Sequence, residues 1–160
     1  MSDPLRFVVN HHQATTLHFD FRLEVRTGAQ NTLASWAVPK GPSMDPGAKR
    51  LAVQVDDHGM EHLDYEDDHK VVWDTGLYQP AEDPGPAIGR GHLRYVVLGE
   101  KLRGAFALTR TRMGGNERNW ILVKIGDEYA DPAAALDDHR SVVTGLTLEQ
   151  LALPKTDHSG

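Results

Sequence analysis

The chain has 160 residues, 39% of them hydrophobic, with 17 Lys and Arg against 23 Asp and Glu and no Cys. That length suits one domain, which buries about two-thirds of its unfolded surface without a covalent staple. The lack of Cys excludes disulfides, thiolate zinc sites and thiol catalysis, and no apolar run approaches the ~20 residues of a membrane span. The Met1-Ser2-Asp3-Pro4 start lacks the basic and apolar regions of a secretory leader, so the expectation is a cytoplasmic protein. The net charge of −6 argues weakly against non-specific nucleic-acid binding. However, residues 1–50 carry six Lys/Arg against four Asp/Glu, and residues 51–100 carry three against eleven. A locally basic surface is therefore still available.

In chain order, Leu5 to Val9 reads as a short strand, and residues 17–25 alternate strictly between apolar and polar, the pattern of a half-buried strand. A turn at 27–31 leads to a strand at 33–38, closing a hairpin that ends at Pro39-Lys40-Gly41-Pro42. Strands follow at 51–55, 70–74 (ended by Thr75-Gly76), 94–98, 104–112 and 120–124, the last two forming a second hairpin. The Pro- and Gly-rich stretch 79–91 reads as an irregular loop. Asp131-Pro132 starts a short helix through Leu136, and Thr147 to Leu153 forms another, stopped by Pro154. The fold class is mainly β: a compact antiparallel β-barrel with a few short helices, spanning 1–154, with a disordered tail at 155–160.

The strand at 17–25 carries the chemistry. Leu17, Phe19, Phe21, Leu23 and Val25 face a core, while His18, Asp20, Arg22 and Glu24 form a row on the other face. Same-face neighbours lie about 6.5–7 Å apart, close enough for side chains to converge on one ion or phosphate. His18 and Asp20 offer an imidazole and a carboxylate to one metal, with His12 returning across the turn at 13–16 as a third ligand and His11 as the alternative. Two imidazoles and a carboxylate suit Mn, Fe or Zn with open positions. Arg22 provides a bidentate cation. His58 and His62 lie beyond the 51–55 strand, Lys40 sits at a rigid strand end, and Arg50 leads into the strand that reaches His58. A metal triad with several cations suits a phosphate ester. Arg110 and Arg112 alternate on one face and could track a DNA backbone, and Trp36, Trp73 and Trp120 read as core.

The ordered blocks Phe7-Val8-Val9-Asn10-His11-His12, Leu17-His18-Phe19-Asp20-Phe21-Arg22-Leu23-Glu24, Ser35-Trp36-Ala37-Val38-Pro39-Lys40-Gly41-Pro42, Arg50-Leu51-Ala52-Val53, Gly99-Glu100-Lys101-Leu102-Arg103-Gly104 and Asn119-Trp120-Ile121-Leu122-Val123-Lys124 resemble the 3′-phosphoesterase domain of bacterial DNA ligase D. The resemblance covers roughly residues 7–130. It implies a β-barrel that trims DNA 3′ ends with Mn²⁺ in break repair by non-homologous end joining. Such a domain removes a terminal ribonucleoside and then hydrolyses the remaining 3′-phosphate. It implies His12, His18 and Asp20 as metal ligands, and Arg22 and His58 on the scissile phosphate, with His58 as general acid or transition-state stabiliser. Lys40 and Arg50 would hold phosphate, and Asn10 stands where the family usually has Gln, as a supporting group. The implied partners are DNA 3′ ends, a ligase or polymerase and a Ku-like protein; the expected state is a monomer, stand-alone or separately expressed.

Two departures stand out. His62 occupies the place of the family's usual Tyr, where it is expected to serve with Arg22 and His58 in catalysis by donating a hydrogen bond to phosphate; Tyr65 is out of register, and the family's Glu-Gly-Glu-Tyr-Gly-type loop is missing, which shortens the rim. Two other readings follow from the residues. One is a catalytically degenerate DNA-end scaffold, motivated by His62. The other is an Fe(II) facial-triad oxygenase built on His18, Asp20 and a distal His58.

Overall fold

The computed structural model describes residues 4–152 apart from Thr15, Ala29 and Ala135. Eight antiparallel strands, β1 (Leu5–Gln13), β2 (Leu17–Thr27), β3 (Gln30–Val38), β4 (Arg50–His58), β5 (Lys70–Pro80), β6 (His92–Leu98), β7 (Arg103–Arg110) and β8 (Asn119–Lys124), close a barrel in the order β1-β2-β3-β4-β8-β7-β6-β5. Closure pairs β5 with β1 and leaves no sheet edge to cover. Two short helices, α1 (Pro84–Arg90) and α2 (Leu148–Ala152), and a 3-10 turn at Met60–Leu63 decorate it.

The period-2 pattern sorts side chains as expected along most of β2. Phe21, Leu23 and Val25 point into the barrel with Phe7, Val9, Trp36, Tyr95, Phe106 and Trp120. All three tryptophans are buried, and each large aromatic contributes roughly 2–3 kcal/mol of apolar transfer. The start of β2 differs from expectation: Leu17 is 49% exposed because the strand overshoots the barrel mouth. The polar face differs more. Asp20, Arg22 and Glu24 are buried rather than solvated, because the segment between β4 and β5 and the C-terminal segment after β8 fold over this outer wall. Val8, Leu33, Leu63 and Val72 form a satellite cluster there, joined by Met60 and Val142.

The stretch 79–91 is not an irregular loop. Gln79 and Pro80 complete β5, and α1 follows with Pro84 in its first turn and Gly91 as a left-handed cap whose N–H reaches the carbonyls of Ala87 and Ile88. The Pro and Gly signals mark the two ends of a helix here. Nor do Thr75-Gly76 end β5. Gly76 lies so close to the Leu98 carbonyl that a Cβ would collide with it, so glycine is needed where β5 approaches the end of its antiparallel neighbour β6. Asp131 caps a single turn, accepting from Ala133 N at 3.0 Å, and the described residues between it and residue 147 form no helix. The helix expected near Thr147 is α2, and Thr147 and Gln150 cap each other reciprocally, N to Oε1 at 2.9 Å and N to Oγ1 at 3.2 Å. The tail at 155–160 and the helix stop at Pro154 lie outside the described residues.

Candidate active site

Register assembles the site. In the β1–β2 ladder His12 pairs with His18 and Asn10 with Asp20, so four polar side chains share one patch of the outer wall. His12 Nδ1 lies 2.8 Å from Asp20 Oδ2, and His18 Nε2 lies 3.1 Å from Asp20 Oδ1. One ligand atom from each of the three lies within 4.8 Å of the others. His18 Nδ1 lies 3.0 Å from Thr16 O; donating there fixes the ring and turns Nε2 toward Asp20, the arrangement that supports a metal-bound imidazole. Two imidazoles and one carboxylate fit a divalent transition ion. His11, the alternative ligand, turns the other way and stacks on Phe19 at 4.5 Å.

Burial would raise the Asp20 carboxyl, but hydrogen bonds from His12 and His18 and the Arg22 charge reverse this and hold it well below the usual carboxylate range. The same hydrogen bond, donated to Asp20, raises His18 and outweighs its burial.

Arg22 is held on every side. Nε donates to Asn10 Oδ1 at 3.0 Å, Nη1 to Ser35 Oγ at 2.9 Å and His58 Nδ1 at 3.0 Å, and Nη2 to Asp20 at 3.2 Å. A guanidinium has five N–H groups and no acceptor, so His58 Nδ1 receives this bond as a lone pair and its proton sits on Nε2. The Asp56 carbonyl, also 3.0 Å from Nδ1, is then not its partner. Burial first, and the Arg22 charge second, push His58 down. His58 is therefore a neutral Nε2–H donor in the free protein, and an acid role requires the charge of a bound phosphate to raise it.

His62 stands beside His58, ring centroids 4.9 Å apart and edge-on. Its Nδ1 lies 2.7 Å from Lys70 Nζ, and burial followed by the Lys70 charge pushes it down. Tyr65 packs edge-on against the His62 ring at 6.2 Å, so a tyrosine does border this corner despite its shift in sequence.

The remaining expected residues separate. Asn10 is fully buried, its amide oxygen accepting from Arg22 Nε and its amide nitrogen donating to Val71 O, which sets it behind Arg22. Lys40 is exposed in the turn after β3, at the end of the β2–β3 pair where His18 lies. Arg50 pairs with the core residue Leu122, which turns it toward the barrel interior, on the opposite face of the wall from Arg22. Arg110 lies over the Trp120 ring at 5.1 Å and donates to Ile88 O, a packing role.

Three residues absent from the sequence-based set belong here. Ser35 and Lys70 contact Arg22 and His62 directly. Glu66 ties down the segment between them: its carboxylate accepts from Val72 N at 2.6 Å, from Thr144 Oγ1 at 3.0 Å and from Ser141 Oγ.

The profile of the DNA ligase D 3′-phosphoesterase domain matches residues 10–110. The chain is 40% identical to the multifunctional non-homologous end joining protein LigD of Pseudomonas aeruginosa, over 94% of its own length and 19% of that protein's. It is 33% identical to the protein of the same name from Mycolicibacterium smegmatis, over 77% and 17%. To the non-homologous end joining DNA repair protein LigD of Mycobacterium tuberculosis it is 29% identical, over 91% and 20%. The chain thus spans about a fifth of the relatives it matches.

Proposed function

Because this chain belongs to the DNA ligase D 3′-phosphoesterase domain family, we propose that it is a divalent-metal phosphoesterase that trims DNA 3′ ends for non-homologous end joining. The observation that carries this reading is the arrangement in which one buried carboxylate, Asp20, joins two half-buried imidazoles to Arg22. In it, His12, His18 and Asp20 hold the ion, with Mn²⁺ as the proposed occupant. The ion supplies charge neutralisation at the phosphate oxygens and an activated water.

The chain's own groups orient and protonate. Arg22 has four N–H groups committed and one left on Nη2, which offers a single fixed donor toward an equatorial oxygen. His58 presents Nε2–H; to act as an acid beside a bound phosphate its Nδ1 must first take up a proton, exchanging the Arg22 N–H for the Asp56 carbonyl 3.0 Å away, after which Nε2–H can pass to the leaving oxygen. His62 presents a second imidazole where the family has a tyrosine. Lys40 would meet the DNA backbone at the exposed mouth. The placement of Arg50 gives no support to a phosphate role. The substrates proposed are a 3′-terminal ribonucleotide, cleaved to a 3′-phosphate, and that 3′-phosphate, hydrolysed to a hydroxyl. A ligase or polymerase would use the product, and a Ku-like protein is a proposed recruiter.

The test uses a 5′-labelled primer–template ending in one 3′ ribonucleotide, and its 3′-phosphate twin, with Mn²⁺ and with EDTA. Conversion to phosphate and then hydroxyl is expected. DNA-end binding with no conversion under any divalent ion would favour the degenerate scaffold, the reading that His62 motivates. The oxygenase reading loses its support because His58 is engaged by Arg22 and stands outside the ligand group.

A further inference from the structure

Lys70 is 6% exposed, yet among the described residues no carboxylate oxygen lies within salt-bridge distance of its ammonium. Its polar partner is His62 Nδ1 at 2.7 Å, and the Tyr65 ring lies 5.1 Å from Nζ. An ammonium carries three N–H donors, so this one keeps donor capacity in a desolvated corner. A buried cation with no carboxylate in direct contact is costly, and a ligand that brings negative charge to it offsets that cost. Arg22, Asp67, Asp20 and Glu61 all act on it electrostatically, and burial followed by the Arg22 charge pushes it down. Asp20 is already engaged by His12, His18 and Arg22. Glu61 is exposed and its carboxylate stands 4.0 Å from His62 Nε2.

The arrangement repeats itself. Arg22 donates to His58 Nδ1 and Lys70 donates to His62 Nδ1, with the two rings side by side. Each imidazole is thereby fixed with its proton on Nε2. The second arm is built from residues that the Arg22 arm does not use.

We infer that Lys70 and His62 form a second phosphate-binding arm that selects the doubly charged 3′-phosphomonoester end. This rests on reading the site as a 3′-end phosphoesterase. A phosphomonoester carries about −1.5 to −2 charges at neutral pH, and a diester carries one. A second buried cation therefore favours the monoester specifically, whereas the metal and Arg22 serve both.

The experiment measures binding in EDTA by fluorescence anisotropy, with one labelled primer–template carrying either a 3′-phosphate or a 3′-hydroxyl. The wild-type protein is expected to prefer the 3′-phosphate by about tenfold or more, the value of one charge-assisted hydrogen bond. Lys70→Met should reduce the preference to under about twofold, and Lys70→Arg should retain most of it. An unchanged preference in Lys70→Met overturns the proposal. So does a loss in Lys70→Arg equal to that in Lys70→Met while both keep the wild-type circular dichroism, since that marks a packing role. Should Lys70→Met fail to fold, the His62 imidazole nitrogen resonances of the wild-type protein decide: they shift with inorganic phosphate if the arm binds it, and stay fixed if it does not. Turnover with Mn²⁺ is read separately. A Lys70-dependent preference in a protein that hydrolyses neither end keeps the arm and rejects the esterase reading.

Discussion

Asp20→Asn is the most informative perturbation, because one carboxylate serves both the ligand set and Arg22. The residue is 4% exposed and its carboxylate is bonded to His12, His18 and Arg22. Removing one member of a buried ion pair costs about 3–5 kcal/mol. Here Arg22 keeps Asn10, Ser35 and His58 as acceptors, and asparagine retains a carbonyl oxygen, so about 3 kcal/mol is expected. For a domain of this length that lowers Tm by about 6–12 °C. The loss depends on pH. Asp20 titrates below its unfolded value, so its contribution is complete above about pH 4 and is lost as the medium becomes more acid. His18 titrates above its unfolded value, so its contribution is complete below about pH 6.5 and fades as pH rises through the folded value. The stability gap between wild type and Asp20→Asn should therefore be widest between about pH 4 and 6.5. Urea unfolding in EDTA across pH 3–8 measures it. Added Mn²⁺ at about a hundredfold above its Kd should stabilise the wild type by about 2.7 kcal/mol and leave the variant unmoved. A gap independent of pH, or equal stabilisation of both by metal, would refute the reasoning.

Three further outcomes follow from single contacts. Asn10→Ala leaves Arg22 Nε buried without its acceptor, and should cost about 1–3 kcal/mol in urea unfolding while lowering kcat more than it raises KM for a 3′-phosphate end. Glu66→Gln weakens the bonds from Val72 N, Thr144 and Ser141; the Val72 amide should exchange faster, and stability should fall by about 1–2 kcal/mol. Gly76→Ala drives a Cβ into the Leu98 carbonyl, a backbone clash expected to cost about 1–3 kcal/mol and read as a lower Tm with the site chemistry intact.

The barrel was legible because period-2 runs separated by turns were read as antiparallel strands, and their partners proved to be those the hairpins imply. What misled was punctuation. Gly76 reads as a stop, yet it is a glycine required by a close backbone approach to Leu98 within a continuing strand. Pro84 and Gly91 read as loop composition, yet they bracket a seven-residue helix. Asp131-Pro132 carries a helix-start signal, but the Asp131 carbonyl accepts from Ala134 N in a single turn, and tertiary contacts decide the rest of that segment. Trp73 Nε1 and Lys101 Nζ both donate to Asp138 O, at 2.8 and 2.7 Å, and hold it extended against the wall.

The site was half legible for a related reason. Alternation along one strand places His18, Asp20 and Arg22 on one face, and the hairpin closing at Thr27 and Gln30 already sets Ser35 opposite Arg22. Burial of that face is a property of the other segments. Nothing in residues 17–25 announces that Met60 to Leu63 and Val142 will cover it. That covering converts a surface row of charges into a desolvated one, where an arginine must spend four donors on fixed acceptors. Lys70 shows the same logic from the other side. In sequence it is a lysine at the start of an apolar strand, ordinarily a solvated end. It becomes a buried cation because β5 pairs with β1, setting Lys70 beside His12, while the turn carrying His62 closes above. The second arm is thus a product of barrel closure, and no motif confined to one strand could have announced it.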